Sequence, residues 1–259
     1  LYLIADLIGW PEKDRGLMFD WSNRVARIDY DPDDARIAAF EFWGYCNELI
    51  ESLEEQGDLE QEDPDLLHTI LAAELDGEGL SPMEIVNFLL LLAIGGNETT
   101  RNCISGGYLA LHNNPEQLAL FTKDPRACSE TAVEEMLRWT SPITAFRRTV
   151  NEDTVLGGQA IKEGEKVVLY YASANRDEAV FVNSQSFDIQ RFPNPHLSFG
   201  TGQHFCLGAT LARMEIRILF EELLRRFPEM RLVGEVERLP SNYTNSMVSF
   251  MVRPGPDLN

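Results

Sequence analysis

The chain has 259 residues, 44% of them hydrophobic, enough to build a sizeable core. Its formal net charge of −20 argues against nucleic acid and anionic membrane as partners. The longest clean apolar run, Phe88 to Ile94, has seven residues, whereas a spanning helix needs about 20, so no transmembrane segment is expected.

The opening Leu-Tyr-Leu-Ile-Ala-Asp lacks the basic start and small-residue cleavage site of a signal peptide. The four cysteines, Cys46, Cys103, Cys128 and Cys206, fit neither zinc-site spacing nor a disulfide scaffold, and a reducing cytoplasm is the simplest compartment. Leu1 to Val25 reads as two short amphipathic pieces around Gly9-Trp10-Pro11. Asp31-Pro32-Asp33-Asp34 is a helix start signal. From Ala35 to Gln56, Ile37, Phe40, Phe42, Trp43, Cys46, Leu49, Ile50 and Leu53 fall largely on one stripe of a long helix. Glu54 to Asp65 is an acidic, solvated loop, and Leu66 to Glu74 a short helix closed by Asp76-Gly77-Glu78-Gly79.

Ser81-Pro82-Met83-Glu84 is a capping box with proline at the first helical position. It opens a helix expected to reach about His112, stopped by Asn113-Asn114-Pro115. Inside it, Gly95-Gly96-Asn97-Glu98-Thr99-Thr100 conflicts with its surroundings, because each glycine costs about 1 kcal/mol against alanine. Such conflicts mark functional places: the glycines make room for a ligand, and Thr99 can bond back to a carbonyl and permit a bend. Pro115 to Lys123 and Ala127 to Thr140 are two further helices, the second placing Glu135 and Arg138 on one face. After Pro142 the chain becomes extended. Thr154 to Ile161 is hairpin-like and Glu165 to Tyr171 a strand. Phe181 to Pro195 is irregular, and alternating segments from Leu232 to Pro254 end the chain in a small sheet.

Phe199-Gly200-Thr201-Gly202-Gln203-His204-Phe205-Cys206-Leu207-Gly208 precedes an amphipathic run, Ala209 to Phe227. The glycines let backbone pass close to something flat. A thiolate just ahead of a helix N-terminus is electrostatically favoured, which suits a soft ligand for one metal ion.

The pattern Phe-Gly-x-Gly-x-His-x-Cys-x-Gly resembles the haem-binding signature of the cytochrome P450 family. The resemblance implies a mainly α fold with small β-sheets, and a haem-thiolate monooxygenase carrying haem b. It implies Cys206 as the iron ligand, Phe199 and Gly200 packed beside it, and His204 and Arg148 at the haem propionates, with Arg147 a competing candidate. It further implies that Gly95 and Gly96 lie against the cofactor, that Thr99 is the hydroxyl beside O2, and that Glu98 relays protons. Glu135, Arg138 and Arg191 resemble the family's structural triad. Expected partners are a ferredoxin with its ferredoxin reductase as electron donors, O2, and a hydrophobic small-molecule substrate facing Leu90 to Thr99, Ile143 to Phe146 and Asn245 to Val248. Arg213, Arg217, Arg225 and Arg226 offer the ferredoxin a basic landing patch.

Several strings, at 96–102, 142–149, 173–178 and 194–200, resemble the subgroup that hydroxylates the ends of sterol side chains and methyl-branched lipids; Ser241 to Met247 departs from it. A terpenoid or macrolide hydroxylase, a gas-binding thiolate-haem protein and a non-catalytic haem-binding fragment are the alternatives. Because the similarity begins inside the family fold, the chain reads as a single domain, N-terminally incomplete, covering roughly two-thirds of such an enzyme.

Overall fold

A computed structural model describes residues 1–56 and 64–255. The acidic stretch 54–65 lies mostly outside them. The chain forms two units, Leu1–Glu98 and Thr99–Asn259.

In the first unit, α1 (Tyr2–Ile8) ends on Gly9, whose φ of +83° is open to glycine at no steric cost. A side chain there would also run into Asp65, the residue that caps α4 (Leu66–Leu71). Next, α2 (Arg15–Val25) packs along α3 (Pro32–Gln56), and Trp10, Trp21, Phe42 and Tyr45 cluster between ring centroids 4.9–5.9 Å apart. The buried stripe of α3 is Ala35, Ala38, Phe42, Cys46 and Ile50. Ile37 and Phe40, expected on it, are exposed, Phe40 at 77%. At about 100° per residue they fall on the opposite side of the helix from that stripe. The short helix also stops earlier than expected, at Leu71. Glu74–Leu75 (β1) and Glu78–Gly79 (β2) instead form a hairpin, because Asp76 and Gly77 both take positive φ.

The capping box is formed: the Ser81 N–H donates to Glu84 Oε2 at 2.8 Å. It starts α5 (Pro82–Asn113), 32 residues assigned as unbroken helix through Gly95 and Gly96. Among the described residues, no helix is long and apolar enough to cross a membrane.

The core of the second unit lies where α6 (Pro115–Lys123), α7 (Pro125–Thr140) and α9 (Ala209–Arg226) meet the last turns of α5. Leu111, Phe121, Met136, Ile189, Ile216 and Phe220 are fully buried there, and each such side chain contributes about 1.5–3 kcal/mol. Close approach of α5 to α7 depends on Gly106 and Gly107, since a Cβ on the latter would sit 2.8 Å from the Met136 sulfur. Strand β3 (Ala145–Thr149) pairs antiparallel with β6 (Lys166–Tyr170), with the hairpin β4 (Thr154–Leu156) and β5 (Gln159–Ile161) between them in sequence. The one-turn helix α8 (Tyr171–Ala174) follows, and β7 (Arg231–Arg238) pairs with β8 (Met247–Arg253) at the end. The expected hairpin, strand and terminal sheet are therefore present.

Candidate functional site

Cys206 lies three residues ahead of α9, partly buried and not in a disulfide. Its backbone N–H donates to the Phe199 carbonyl at 2.9 Å, closing residues 199–206 into a loop. Gly200 and Gly202 stand at φ +70° and +67°, left-handed values that explain why the loop needs glycine there. A Cβ on Gly200 would come within 3.4 Å of the His204 carbonyl. The His204 ring is exposed, at the end of the short helical turn Gly202–His204.

Arg148 and Phe146 share one face of β3, opposite to Arg147, and the Arg148 guanidinium sits 5.8 Å from the Phe146 ring centre. Arg147 is exposed and Arg148 half-buried. Phe146 meets Tyr171 edge-on at 5.9 Å, and the Tyr171 hydroxyl lies 3.7 Å from the place of a Gly200 Cβ. Aromatic contacts thus run from Arg148 to the cysteine loop within the second unit.

On α5, Glu98 is only 6% exposed, and Thr99 follows it, half-buried. The two glycines differ. A Cβ on Gly95 would meet nothing within 4 Å, whereas one on Gly96 would lie 2.8 Å from Ile4. Gly96 makes room for α1, and Gly95 faces open space. Asn102, one turn beyond Thr99, donates to Ser246 Oγ at 2.9 Å, and Ser246 donates to Thr244 Oγ1 at 2.6 Å. Ile143 forms an isolated antiparallel bridge with Thr244, and Thr144 Oγ1 donates to the Tyr243 carbonyl at 3.0 Å. These bonds join residues 143–144 to 243–244, immediately ahead of the 245–248 stretch, and tie Ser246 to α5.

The triad is assembled. Arg138 donates to both oxygens of Glu135 at 2.8 and 2.7 Å with both side chains fully buried, and Arg191 Nε reaches Glu135 Oε2 at 3.0 Å. Arg138 also donates to the carbonyls of Asn175, Ser184 and Ser186, ordering the irregular passage ahead of the cysteine loop. Removing one partner of such a buried pair costs about 3–5 kcal/mol.

The sequence marks Asn175 only as one residue of the 173–178 string, with no sign of its bonding role; in the fold it is fully buried. It donates to Ser141 and Ser198 at 2.9 Å each and accepts from the Leu197 N–H at 2.7 Å. Nor does the sequence signal the pairing of Glu134 with Arg213 and His196, the latter being one residue of the 194–200 string. The arginines after the cysteine are not free positive surface. Arg213 pairs with Glu134, Arg217 with Glu130 and Glu221, and Arg225 and Arg226 with Glu222. Four arginines face four glutamates, so the expected basic patch is electrically mixed.

The residues fit a haem. A single soft sulfur donor is flanked by Phe205 and Leu207, 53% and 78% exposed, which gives apolar surface on either side of a metal-seeking atom. Arg148 and His204 supply donors for acidic groups.

The family described as Cytochrome P450 has a model that matches residues 129–257. The steroid C26-monooxygenase of Rhodococcus jostii (strain RHA1) is 42% identical over 257 residues, covering 97% of this chain and 52% of that protein. The methyl-branched lipid omega-hydroxylase of Mycobacterium bovis is 42% identical over 260 residues, covering 97% of this chain and 59% of that protein. A crystal structure of CYP109E1 from Bacillus megaterium in complex with testosterone superposes with a TM-score of 0.85 at 34% identity, covering 97% of this chain and 68% of that one. The chain spans between half and three-fifths of the length of these curated relatives. At 34% identity over 68% of that solved structure, and with the family's own model matching, the chain belongs to the cytochrome P450 family.

Proposed function

We propose that this chain is the larger part of a haem-thiolate monooxygenase that inserts one atom of O2 into a C–H bond of a hydrophobic substrate. The favoured reaction is terminal hydroxylation of a sterol side chain or methyl-branched lipid. The observation that carries the reading is Cys206, free and partly buried in a loop held by left-handed glycines ahead of α9. The names of the 42%-identical relatives support the substrate class.

Haem b, when bound, supplies the one-electron and O2 chemistry. Cys206 would hold it through sulfur, its N–H already committed to Phe199. Arg148 and His204 would meet its carboxylates, and Gly200 would let the backbone approach. Gly95 leaves space on α5 for a ligand, while Gly96 serves the packing of that helix. The overall balance is substrate C–H plus O2, two electrons and two protons, giving alcohol and water. Thr99 would offer a hydroxyl proton towards O2, and Glu98, the carboxylate just before it, would take up protons and pass them on. The electrons come from a ferredoxin and its ferredoxin reductase.

The test is Thr99→Ala in the haem-loaded protein with cholest-4-en-3-one. Product per NAD(P)H consumed should fall at least tenfold while O2 consumption continues. Unchanged product yield would sink the assignment of Thr99. Turnover of a macrolide and not of cholestenone would sink the lipid reading.

A further inference from the structure

Glu134 and Glu135 are adjacent on α7 but belong to different networks. Glu135 serves the triad. Glu134 takes Arg213 Nε and Nη2 on its two oxygens, at 2.6 and 2.9 Å. It also meets His196 Nε2 at 3.0 Å, on a ring only 2% exposed. The backbone N–H of Ser198 donates to His196 Nδ1 at 3.2 Å, so Nδ1 is an acceptor and Nε2 carries the proton that points at Glu134. Burial pushes the Glu134 carboxyl up, but Arg213 and His196 outweigh it and hold it at about 2, so it is ionised at neutral pH.

The other side of this arrangement reaches the cysteine loop. The Arg213 guanidinium carbon lies 4.5 Å from the centre of the Phe199 ring, within cation–π range. Phe199 is the residue whose carbonyl accepts the Cys206 N–H. One carboxylate on α7 therefore fixes a planar cation against the ring that abuts the sulfur-bearing turn. A lysine could keep the charge but neither the two-point grip nor the flat stack.

We propose that Arg213 is a positioning residue for the metal ligand: clamped by Glu134 and His196, it holds the Phe199 ring and the Phe199–Cys206 bond in register and places a fixed positive charge beside the loop, favouring the reduced state of the group that Cys206 holds. This rests on the reading of Cys206 as a haem ligand. A positive charge close by stabilises an added electron, and a negative one opposes it. Arg213 and Glu134 should therefore act with opposite signs, whereas a purely structural pair would not.

The experiment compares haem-loaded wild type, Arg213→Gln and Glu134→Gln, each titrated reductively against a one-electron dye. The ferrous-to-ferric ratio at fixed dye potential should fall about tenfold in Arg213→Gln, which is about 59 mV for one electron. It should rise in Glu134→Gln, which leaves the guanidinium uncompensated. A ratio unchanged in Arg213→Gln, or shifted in the same direction in both variants, overturns the inference. If Arg213→Gln does not take up haem, Glu134→Gln alone decides, and a ratio that is unchanged or lower refutes it. A wild-type ferrous–carbon monoxide band away from the thiolate position would instead overturn the reading of Cys206, so the two failures are distinct.

Discussion

Glu134 and Glu135 differ by one position and by about 100° around α7, and that rotation separates their environments. Glu135 turns into the unit and is fully buried with Arg138. Glu134 turns towards α9 and remains part-exposed with Arg213. Its folded pKa of about 2 lies below the ordinary 4.5, so its contribution to stability is present above about pH 4.5 and is lost as pH falls toward 2. Replacing Glu134 by glutamine removes that contribution. The difference in urea midpoint between wild type and Glu134→Gln should be largest at pH 6 and close steadily below pH 4. A difference that widens on acidification would mean that the carboxylate is not stabilised by its partners. The same residue scale explains why Arg148, and not Arg147, is the arginine turned towards Phe146. Strand alternation allows only one of two neighbours on that face, and the structure selects it.

Among the elements, α5 combines opposing demands. Its capping box and apolar run make a strong helix, and its four glycines weaken it at two places for two reasons. Gly106 and Gly107 exist for helix contact: their absent side chains are where Thr140 and Met136 of α7 stand. Gly107→Ala gains about 1 kcal/mol of helix propensity but forces the Met136 side chain aside, an overpacking cost of about 1–3 kcal/mol. A net loss of stability is expected. Gly95→Ala, with nothing within 4 Å of the added carbon, should instead be neutral or stabilising. Thermal unfolding followed by circular dichroism separates the two. Equal shifts would show that α5 does not approach α7 as described. At the same scale, α3 shows how a dense apolar sequence misleads. Ile37 and Phe40 are as hydrophobic as Phe42, yet periodicity alone does not say which of two apolar arcs meets a partner helix.

The whole molecule carries a net charge of −20, and this is a term in stability as well as in partner choice. At low salt the acidic groups repel one another over a Debye length of about 30 Å at 0.01 M, which shrinks to about 8 Å at 0.15 M. Raising sodium chloride across that range should raise the thermal midpoint by a few degrees, because screened self-repulsion favours the compact state. A fall would show that the surface pairs of Arg225, Arg226 and Glu222 contribute more than the repulsion costs. For a redox partner the mixed arginine–glutamate face weakens the case for a simple acidic-on-basic encounter, since those arginines already have carboxylates.

The amino-acid sequence alone settled the long helix from Ser81, the helices at 115–140, the strands around Arg148 and the glycine loop around Cys206. It could do so because caps, prolines, glycines and short-range periodicity act between residues a few positions apart. It also made the Glu135–Arg138–Arg191 triad legible, through resemblance. The partners of Glu134, the hold of Asn102 on Ser246 144 positions away, and the buried role of Asn175 were decided only by the fold. So was the division of Gly95 from Gly96, one open and one packed on Ile4. A polar or small residue states its capacity to bond or to make room. Which distant group takes up that capacity is fixed by tertiary packing.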